Sequence, residues 1–156
     1  MRADNFTASF TVDRSPEEVF AAINNVRGWW SEAIEGTTDR VGGRFGYRHK
    51  DLHVSTQEII ELLPGWKVVW RVVDSRISFV EDKDEWTGTQ IVFDIARRYG
   101  RTEVRLTHVG LVPALQCFSD CAGGWGFYFS QSLRQLVTIG RGQPDPVSIC
   151  RLTERL

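Results

Sequence analysis

The side chains with the clearest chemical potential in this sequence are its three histidines, at positions 49, 53 and 108. His49 and His53 are four residues apart, the spacing of a zinc-binding pair on one helical face. The intervening Lys50-Asp51-Leu52 is typical of a turn between strands, and neither a catalytic glutamate nor a third ligand accompanies the pair. We therefore predict two histidines at the surface or rim of the fold, and no metal.

His108 follows Val104 and Leu106 on the same side of an alternating strand, so it is predicted to face the interior. Such a histidine is either satisfied by a buried neighbour or available to a ligand as an acid, a base or a hydrogen-bonding group. Spacing places no second titratable group beside it, which favours the first interpretation. If the chain is an enzyme, His108 and Tyr128 are the candidate catalytic residues.

The cysteines and glycines indicate no cofactor. Cys117, Cys121 and Cys150 are odd in number, have no CxxC spacing and have no base tied to them by spacing, so buried structural thiols are expected. The glycines within residues 42–46 fit neither a dinucleotide-binding loop nor a phosphate-binding loop.

Aromatic residues are unusually frequent: six Trp, nine Phe and three Tyr in 156 residues. Each ring buries about 150–250 Å², so the set either fills a core or lines a site for a flat, apolar molecule. The residues predicted to line such a cavity are Trp30, Trp70, Trp86, Ile91, Phe93, Leu106, His108, Trp125, Tyr128 and Phe129.

Local patterns predict the first elements of the chain. Alternation through residues 5–12 indicates a half-buried strand. Ser15-Pro16-Glu17-Glu18 combines an N-cap, a proline in the first turn and a capping box, so a helix begins there and ends near Asn24-Asn25. Strands at 56–63 and 66–73 are joined by the turn dipeptide Pro64-Gly65, a short strand follows at 77–80, and residues 81–85 form an acidic turn.

Residues 88–98 and 102–109 form the clearest hairpin, because the two-residue loop Tyr99-Gly100 sets its register. Facing positions then sum to 199, which pairs Ile91 with His108, Phe93 with Leu106 and Ile95 with Val104. Asp94 and Arg105 meet on the outer face as a structural pair.

The last predicted element is a long amphipathic helix from an N-cap at Asp120 to Gly140, with Trp125 and Phe129 on its apolar face. A single domain spans residues 1–142, and residues 143–156 form a tail. The order of elements predicts an α+β fold in which this helix covers one face of an antiparallel sheet of about six strands.

Composition excludes several classes of protein. The formal charge of −1 and the pI near 6.3 leave no electrostatic footprint for nucleic acid or an anionic membrane. No stretch of 18 apolar residues and no signal-peptide pattern is present, so a soluble cytoplasmic protein is expected. The alternating edge strands allow a homodimer.

Several blocks occur in an order that resembles the SRPBCC superfamily, and more narrowly its branch named for the activator of heat shock protein 90 ATPase. They are residues 15–23 (SPEEVFAAI), 29–30 (WW), 40–45 (RVGGRF), 102–110 and 124–133, within a match from about Phe6 to Ile139. The resemblance implies a helix-grip fold: a curved sheet of six or seven strands around the C-terminal helix, two short N-terminal helices and a cavity between helix and sheet.

Three functions follow as hypotheses. The first is non-enzymatic binding of a small hydrophobic or aromatic molecule in that cavity. The second, suggested by the branch name, is an interaction protein that activates a chaperone ATPase. The third is an enzyme of the cyclase or dehydratase kind that uses His108 as acid or base, since members of the superfamily include such enzymes.

Overall fold

The computed structural model describes residues 5–49, 53–77, 85–115 and 118–144. Within these ranges seven strands form one antiparallel sheet in the spatial order β1-β7-β6-β5-β4-β3-β2. The strands are β1 (Phe6–Val12), β2 (Glu35–Gly36), β3 (Arg44–His49), β4 (His53–Leu63), β5 (Lys67–Ile77), β6 (Gln90–Arg98) and β7 (Arg101–Val109). The α+β class is confirmed.

The N-terminal helix α1 (Pro16–Asn24) begins where the capping box predicts. The Glu18 amide donates to Ser15 Oγ at 3.1 Å, and the Ser15 amide donates to the Glu18 carboxylate at 3.1 Å. A 3-10 turn (Val26–Gly28) follows, so the two predicted short helices are both present. This turn directs the next two residues, Trp29 and Trp30, into the interior, where both are buried.

The β6–β7 hairpin has the predicted register. Ile91 lies opposite His108 and Asp94 opposite Arg105. The loop residues Tyr99 and Gly100 both have positive φ, 53° and 78°, which is the requirement of a two-residue hairpin loop whose twist matches the strands. Asp94 forms an ion pair with Lys67 Nζ, at 3.6 Å, on the neighbouring strand β5.

Strands β4 and β5 are the longest of the sheet, with 11 residues each, and they carry two irregularities. The register shifts between Thr56 and Gln57 and again between Ile59 and Glu61, which are β-bulges that bend the paired strands. The predicted short strand at 77–80 and the acidic turn at 81–85 fall mostly outside the described residues; Ile77 ends β5.

The C-terminal helix differs from the prediction in two ways. The helix includes Phe118, so Asp120 lies within its first turn and is not the N-cap. There the carboxylate of Asp120 interacts favourably with the positive end of the helix dipole. The helix also has three parts: α2 (Phe118–Phe127), a π-helical segment (Tyr128–Leu133) and α3 (Arg134–Ile139). Gly140 ends it at φ 80°, the left-handed conformation expected of a terminal glycine.

Two polar anchors hold this helix to the rest of the domain. Ser132 Oγ donates to the Trp29 carbonyl oxygen at 2.7 Å and accepts from the Gln143 amide at 2.6 Å. The Arg14 guanidinium donates to the carbonyl oxygens of Val137 and Thr138, at 3.3 and 2.8 Å. The helix is thereby fixed across the concave face of the sheet, and the interior between them contains the candidate site.

Candidate functional site

A cluster of aromatic rings fills the centre of the space between helix and sheet. Trp29 is fully buried, and its ring lies 5.9–6.4 Å, centroid to centroid, from those of Trp30, Trp70, Phe93 and Trp125. Its indole N–H donates to the Ile23 carbonyl oxygen at 3.1 Å, so the 3-10 turn and helix α1 position this ring. Trp29 is not among the lining residues predicted from the sequence.

On the side of β1 and β6 the helix meets the sheet directly. The ring of Phe129 lies 4.9 Å from that of Phe10 on β1 and 6.3 Å from that of Phe93 on β6. Leu133 and Leu106 are also fully buried. Side chains of the protein supply the packing in this half of the interior.

His108 lies on β7 within a complete set of hydrogen bonds. Its Nδ1 accepts from the indole N–H of Trp125 at 3.0 Å, and its Nε2 lies 2.9 Å from Thr89 Oγ1. The Thr89 hydroxyl donates to the Trp86 carbonyl oxygen at 2.6 Å, so it accepts from His108, and the proton of the neutral imidazole is on Nε2. Helix α2 and the residues before β6 thus position the histidine from both sides.

This environment keeps His108 neutral. Burial, and to a smaller extent the nearby charge of His53, lowers the pKa of His108 to about 3. With both ring nitrogens engaged and a pKa far below neutrality, the imidazole links helix to sheet and neither accepts nor gives up a proton near pH 7. These hydrogen bonds are the ones expected of a buried histidine that is satisfied by its neighbours.

Trp86 extends the cluster toward the β3–β5 side. Its ring stacks on Trp125 at 6.0 Å and meets the imidazole rings of His108 and His53 edge-on, at 4.6 and 4.3 Å. Its indole N–H donates to the buried Cys121 Sγ at 3.3 Å, so that thiol has the structural role expected of it. Cys117 and Cys150 lie outside the described residues.

The interior face of β3, β4 and β5 carries a different kind of lining. Four polar side chains point inward there and are at most 7% exposed; together we call them the polar half of the interior, and they are Tyr47, Ser55, Gln57 and Ser75. Gln57 Nε2 donates to Ser55 Oγ at 2.5 Å. Ser75 Oγ hydrogen-bonds Thr87 Oγ1 at 2.9 Å, toward the exposed edge. The Tyr47 hydroxyl lies 3.5 Å from that of Tyr128 on the helix.

Two buried polar atoms beside this polar half lack a hydrogen-bond partner within the described part of the chain. They are the Oε1 atom of Gln57 and the indole Nε1 of Trp70, and both side chains are 0% exposed. A buried donor or acceptor without a partner costs about 1–3 kcal/mol. The two atoms therefore mark a place where the protein alone does not complete its own hydrogen bonding.

The predicted lining residues come together in the structure. Trp30, Trp70, Trp86, Ile91, Phe93, Leu106, Trp125 and Phe129 belong to one hydrophobic cluster; half-buried Tyr128 packs against it, and His108 is buried among its rings. The four members of the polar half are not among the residues predicted from the sequence. The only sequence signal for them is the alternation of His53, Ser55 and Gln57 along β4. Because these residues are polar, the alternation predicts that this face of the strand is exposed to solvent.

The two remaining histidines flank the connection between β3 and β4, since β3 ends at His49 and β4 begins at His53. His49 and His53 are register partners, and the half-buried His53 ring also lies 5.4 Å from that of Tyr47. Within the described ranges, no three His, Cys, Asp or Glu side chains group so as to hold a metal ion. Nor does any helix among those residues have the length and apolar character needed to cross a membrane.

The outer face of the sheet bears a shallow groove of about 340 Å³, which the sequence analysis did not anticipate. It is lined by Ile60, Glu61, Lys67, Val69, Gln90 and Val92. Because a carboxylate and an ammonium group border it, this open groove differs in chemistry from the aromatic interior.

Solved structures with the same fold come from several bacteria. An Aha1 dimer from Colwellia psychrerythraea superposes with a TM-score of 0.72 at 23% identity, covering 89% of this chain and 99% of that one. The protein MLL2253 of Mesorhizobium loti gives 0.69 at 17% identity, covering 86% and 96%. CalU16 of Micromonospora echinospora gives 0.65 at 17% identity, covering 93% and 71%. These likenesses confirm the helix-grip arrangement of sheet and helix.

At the level of sequence, no curated protein matches the chain. A family model does match, over residues 13–138, from the residue that follows β1 to the last turn of the C-terminal helix. That range contains the aromatic interior, the hydrogen bonds of His108 and the polar half. The chain therefore belongs to the family of activator of Hsp90 ATPase homolog 1-like proteins.

Proposed function

We propose that this protein binds a small hydrophobic or aromatic molecule between the C-terminal helix and the sheet, without catalysing a reaction. The observation that carries the proposal is the pair of buried, unpartnered polar atoms on neighbouring strands, Gln57 Oε1 and Trp70 Nε1, where the polar half meets the aromatic cluster. A core whose only role is packing places apolar atoms at such positions, since an unsatisfied buried polar group is destabilising.

A difference between the two halves of the interior supports a ligand position in the polar half. On the side of β1 and β6, Phe129 packs on Phe10 and Phe93. On the side of β3, the helix approaches through the hydroxyl groups of Tyr128 and Tyr47, and polar side chains face inward. Ligand sites combine apolar walls with a few convergent polar groups, and the polar half has this composition.

Native mass spectrometry of the protein purified from its own host tests the proposal. We expect a retained small molecule that is released on denaturation. Ser55→Leu, which adds an apolar side chain within the polar half, should abolish retention. Ser9→Leu, on the exposed face of β1, is the matched control and should retain the molecule.

The outcome against ligand binding is equally specific. It is a wild-type protein that carries no additional mass and gives no response to a panel of hydrophobic and aromatic compounds. Retention that is the same in wild type and Ser55→Leu would place the ligand elsewhere.

Family membership favours a second candidate, an interaction protein that activates a chaperone ATPase. A structural neighbour, the Colwellia psychrerythraea protein, is named Aha1 and is a dimer, which also makes a homodimer of this chain a candidate arrangement. An ATPase assay with the Hsp90-type chaperone of the same host tests the role: stimulation supports it, and an unchanged rate at saturating protein removes it. Ligand binding and chaperone activation are measured separately, so either can fail alone.

A further inference from the structure

We infer that Gln57 and Trp70 determine the specificity of the proposed site, and that they select aromatic molecules bearing a neutral hydroxyl group. The inference rests on the proposed function, because it assumes that a ligand enters the interior. It adds the chemical class of that ligand, which neither the fold nor the family supplies.

The two side chains lie on neighbouring strands and face the same interior. Trp70 on β5 is the register partner of Ile59, and Gln57 on β4 is the partner of Val72, so Trp70 and Gln57 are diagonal neighbours. Diagonal neighbours in an antiparallel pair are about 7–8 Å apart, within reach of long side chains. Phe45 connects them: it is the β3 partner of Gln57, and its ring lies 4.8 Å from that of Trp70.

Their hydrogen-bonding capacities are complementary to a hydroxyl group. The indole of Trp70 can only donate. The amide of Gln57 uses its Nε2 to donate to Ser55 Oγ, which leaves Oε1 as an acceptor. A single ligand atom that satisfies both must accept one hydrogen bond and donate another, as a hydroxyl oxygen does, whereas an ether oxygen accepts only.

The charge of the surroundings restricts the ligand further. The buried polar side chains of the described chain are serines, threonines, one glutamine and one histidine, and the histidine is neutral at pH 7. None is a lysine or an arginine, and the half-buried His53, whose ring contacts Tyr47 and Trp86, lies four residues along β4 from Gln57. Burying an unpaired carboxylate is far more costly than burying a neutral hydroxyl, so the site favours the neutral compound.

The apolar part of the ligand follows from the rings around the pair. Trp30 and Trp70 are stacked with an interplanar angle of 3° and centroids 6.1 Å apart, and Phe45 meets both edge-on. These rings pack on one another, and a planar aromatic molecule inserted beside them would meet the same offset and edge-to-face geometries. A naphthol-sized compound combines that plane with one hydroxyl group.

The experiment is a titration of the whole ¹⁵N-labelled protein with four compounds: 2-naphthol, naphthalene, 2-methoxynaphthalene and 2-naphthoate. Indole N–H resonances report on the site, and Trp70→Phe identifies the Trp70 signal by its loss. Trp66→Phe identifies that of the exposed Trp66 as an internal control. We expect 2-naphthol to shift the Trp70 resonance and to bind about tenfold more tightly than the other three, the worth of about one hydrogen bond.

Variants assign that preference to Gln57. Gln57→Leu should reduce the affinity ratio of 2-naphthol to naphthalene from about tenfold to about one. Thr56→Val changes the next residue on β4, on the opposite face of the strand, and should leave the ratio unchanged. The four-compound series uses the wild-type protein, so it tests the selection of a neutral hydroxyl group even if Gln57→Leu fails to fold.

The outcomes separate the two proposals. If none of the four compounds binds and no molecule is retained from the host, the proposed function fails. If naphthalene or 2-methoxynaphthalene binds as tightly as 2-naphthol, ligand binding stands and selection by hydroxyl is overturned, with the two polar atoms satisfied by a buried water. Tighter binding of 2-naphthoate would likewise overturn selection of a neutral group.

Discussion

Two buried polar side chains project from the same face of the sheet, and their surroundings differ. His108 on β7 has both ring nitrogens engaged, by Trp125 and Thr89. Gln57 on β4 is equally buried, yet its Oε1 has no partner in the described chain, and neither has the neighbouring Trp70 Nε1. The first region is complete without a ligand, and the second is not.

The difference shows that burial alone does not separate a structural polar residue from a binding residue. Both positions satisfy the same criterion of a polar side chain on an inward-facing strand position. Completeness of hydrogen bonding distinguishes them, because a closed network rigidifies the core, whereas an open one leaves a capacity that a ligand can fill.

The largest expected effect comes from breaking the complete region. Trp125→Ala removes a buried ring and leaves His108 Nδ1 without its donor, so the free energy of unfolding should fall by about 4–5 kcal/mol. Phe127→Ala changes an aromatic residue of the same helix that is 36% exposed, and should cost less than about 1 kcal/mol. Urea unfolding of the two variants measures the contrast; equal losses would mean that the network does not stabilise the helix.

A smaller effect is expected from pH. Between the folded pKa of His108, about 3, and its ordinary value near 6.5, the unfolded chain binds a proton at this position and the folded chain does not. The contribution of neutral His108 to the free energy of unfolding is therefore fully present above about pH 6.5 and is lost as the pH falls below that value. Between pH 7.5 and 5.0 the loss should be about 2 kcal/mol.

Urea unfolding of wild type and His108→Gln at both pH values isolates this contribution from those of other titrating groups. The variant keeps a side chain able to accept from Trp125 and donate to Thr89 but cannot take up a proton. The difference between the two proteins should shrink by about 2 kcal/mol at the lower pH. A difference independent of pH would show that the imidazole can be protonated in place.

The smallest effect is expected in the incomplete region, and its sign is opposite. Gln57→Leu removes the unsatisfied Oε1 together with the Nε2 hydrogen bond to Ser55, so the ligand-free protein should be unchanged or more stable by up to about 1 kcal/mol. Ser132→Ala is the matched control, because that buried hydroxyl bonds both Trp29 and Gln143, and it should destabilise. Thermal unfolding after removal of bound molecules measures both; a large loss in Gln57→Leu would mark that amide as structural.

Much of the fold could be predicted because local signals determine it. The loop Tyr99-Gly100 sets the register of β6 and β7, and a capping box starts α1. The C-terminal helix was predicted as one regular element, although its middle is π-helical and Asp120 lies inside it, since neither feature has a local marker in the sequence. The two bulges, at Val73 of β5 and at Ile60 of β4, depend likewise on the pairing of these strands.

The candidate site was only partly predictable for a related reason. Alternation placed His108 inside, but its partners Trp125 and Thr89 are 17 and 19 residues away and meet it only in the folded chain. Ser55 and Gln57 were missed because polar residues on alternate positions normally indicate the solvated face of a strand. Here that face is turned inward, and only the tertiary structure shows it.

The π-helical segment explains an unusual regularity in the C-terminal helix. Its buried residues Trp125, Phe129, Leu133 and Val137 recur at intervals of four. In an α-helix every such interval overshoots a full turn by about 40°, so the fourth residue would be rotated about 120° from the first. A π turn contains more residues and undershoots instead. The segment Tyr128–Leu133 thus offsets this drift, and all four side chains stay on the buried side of the helix.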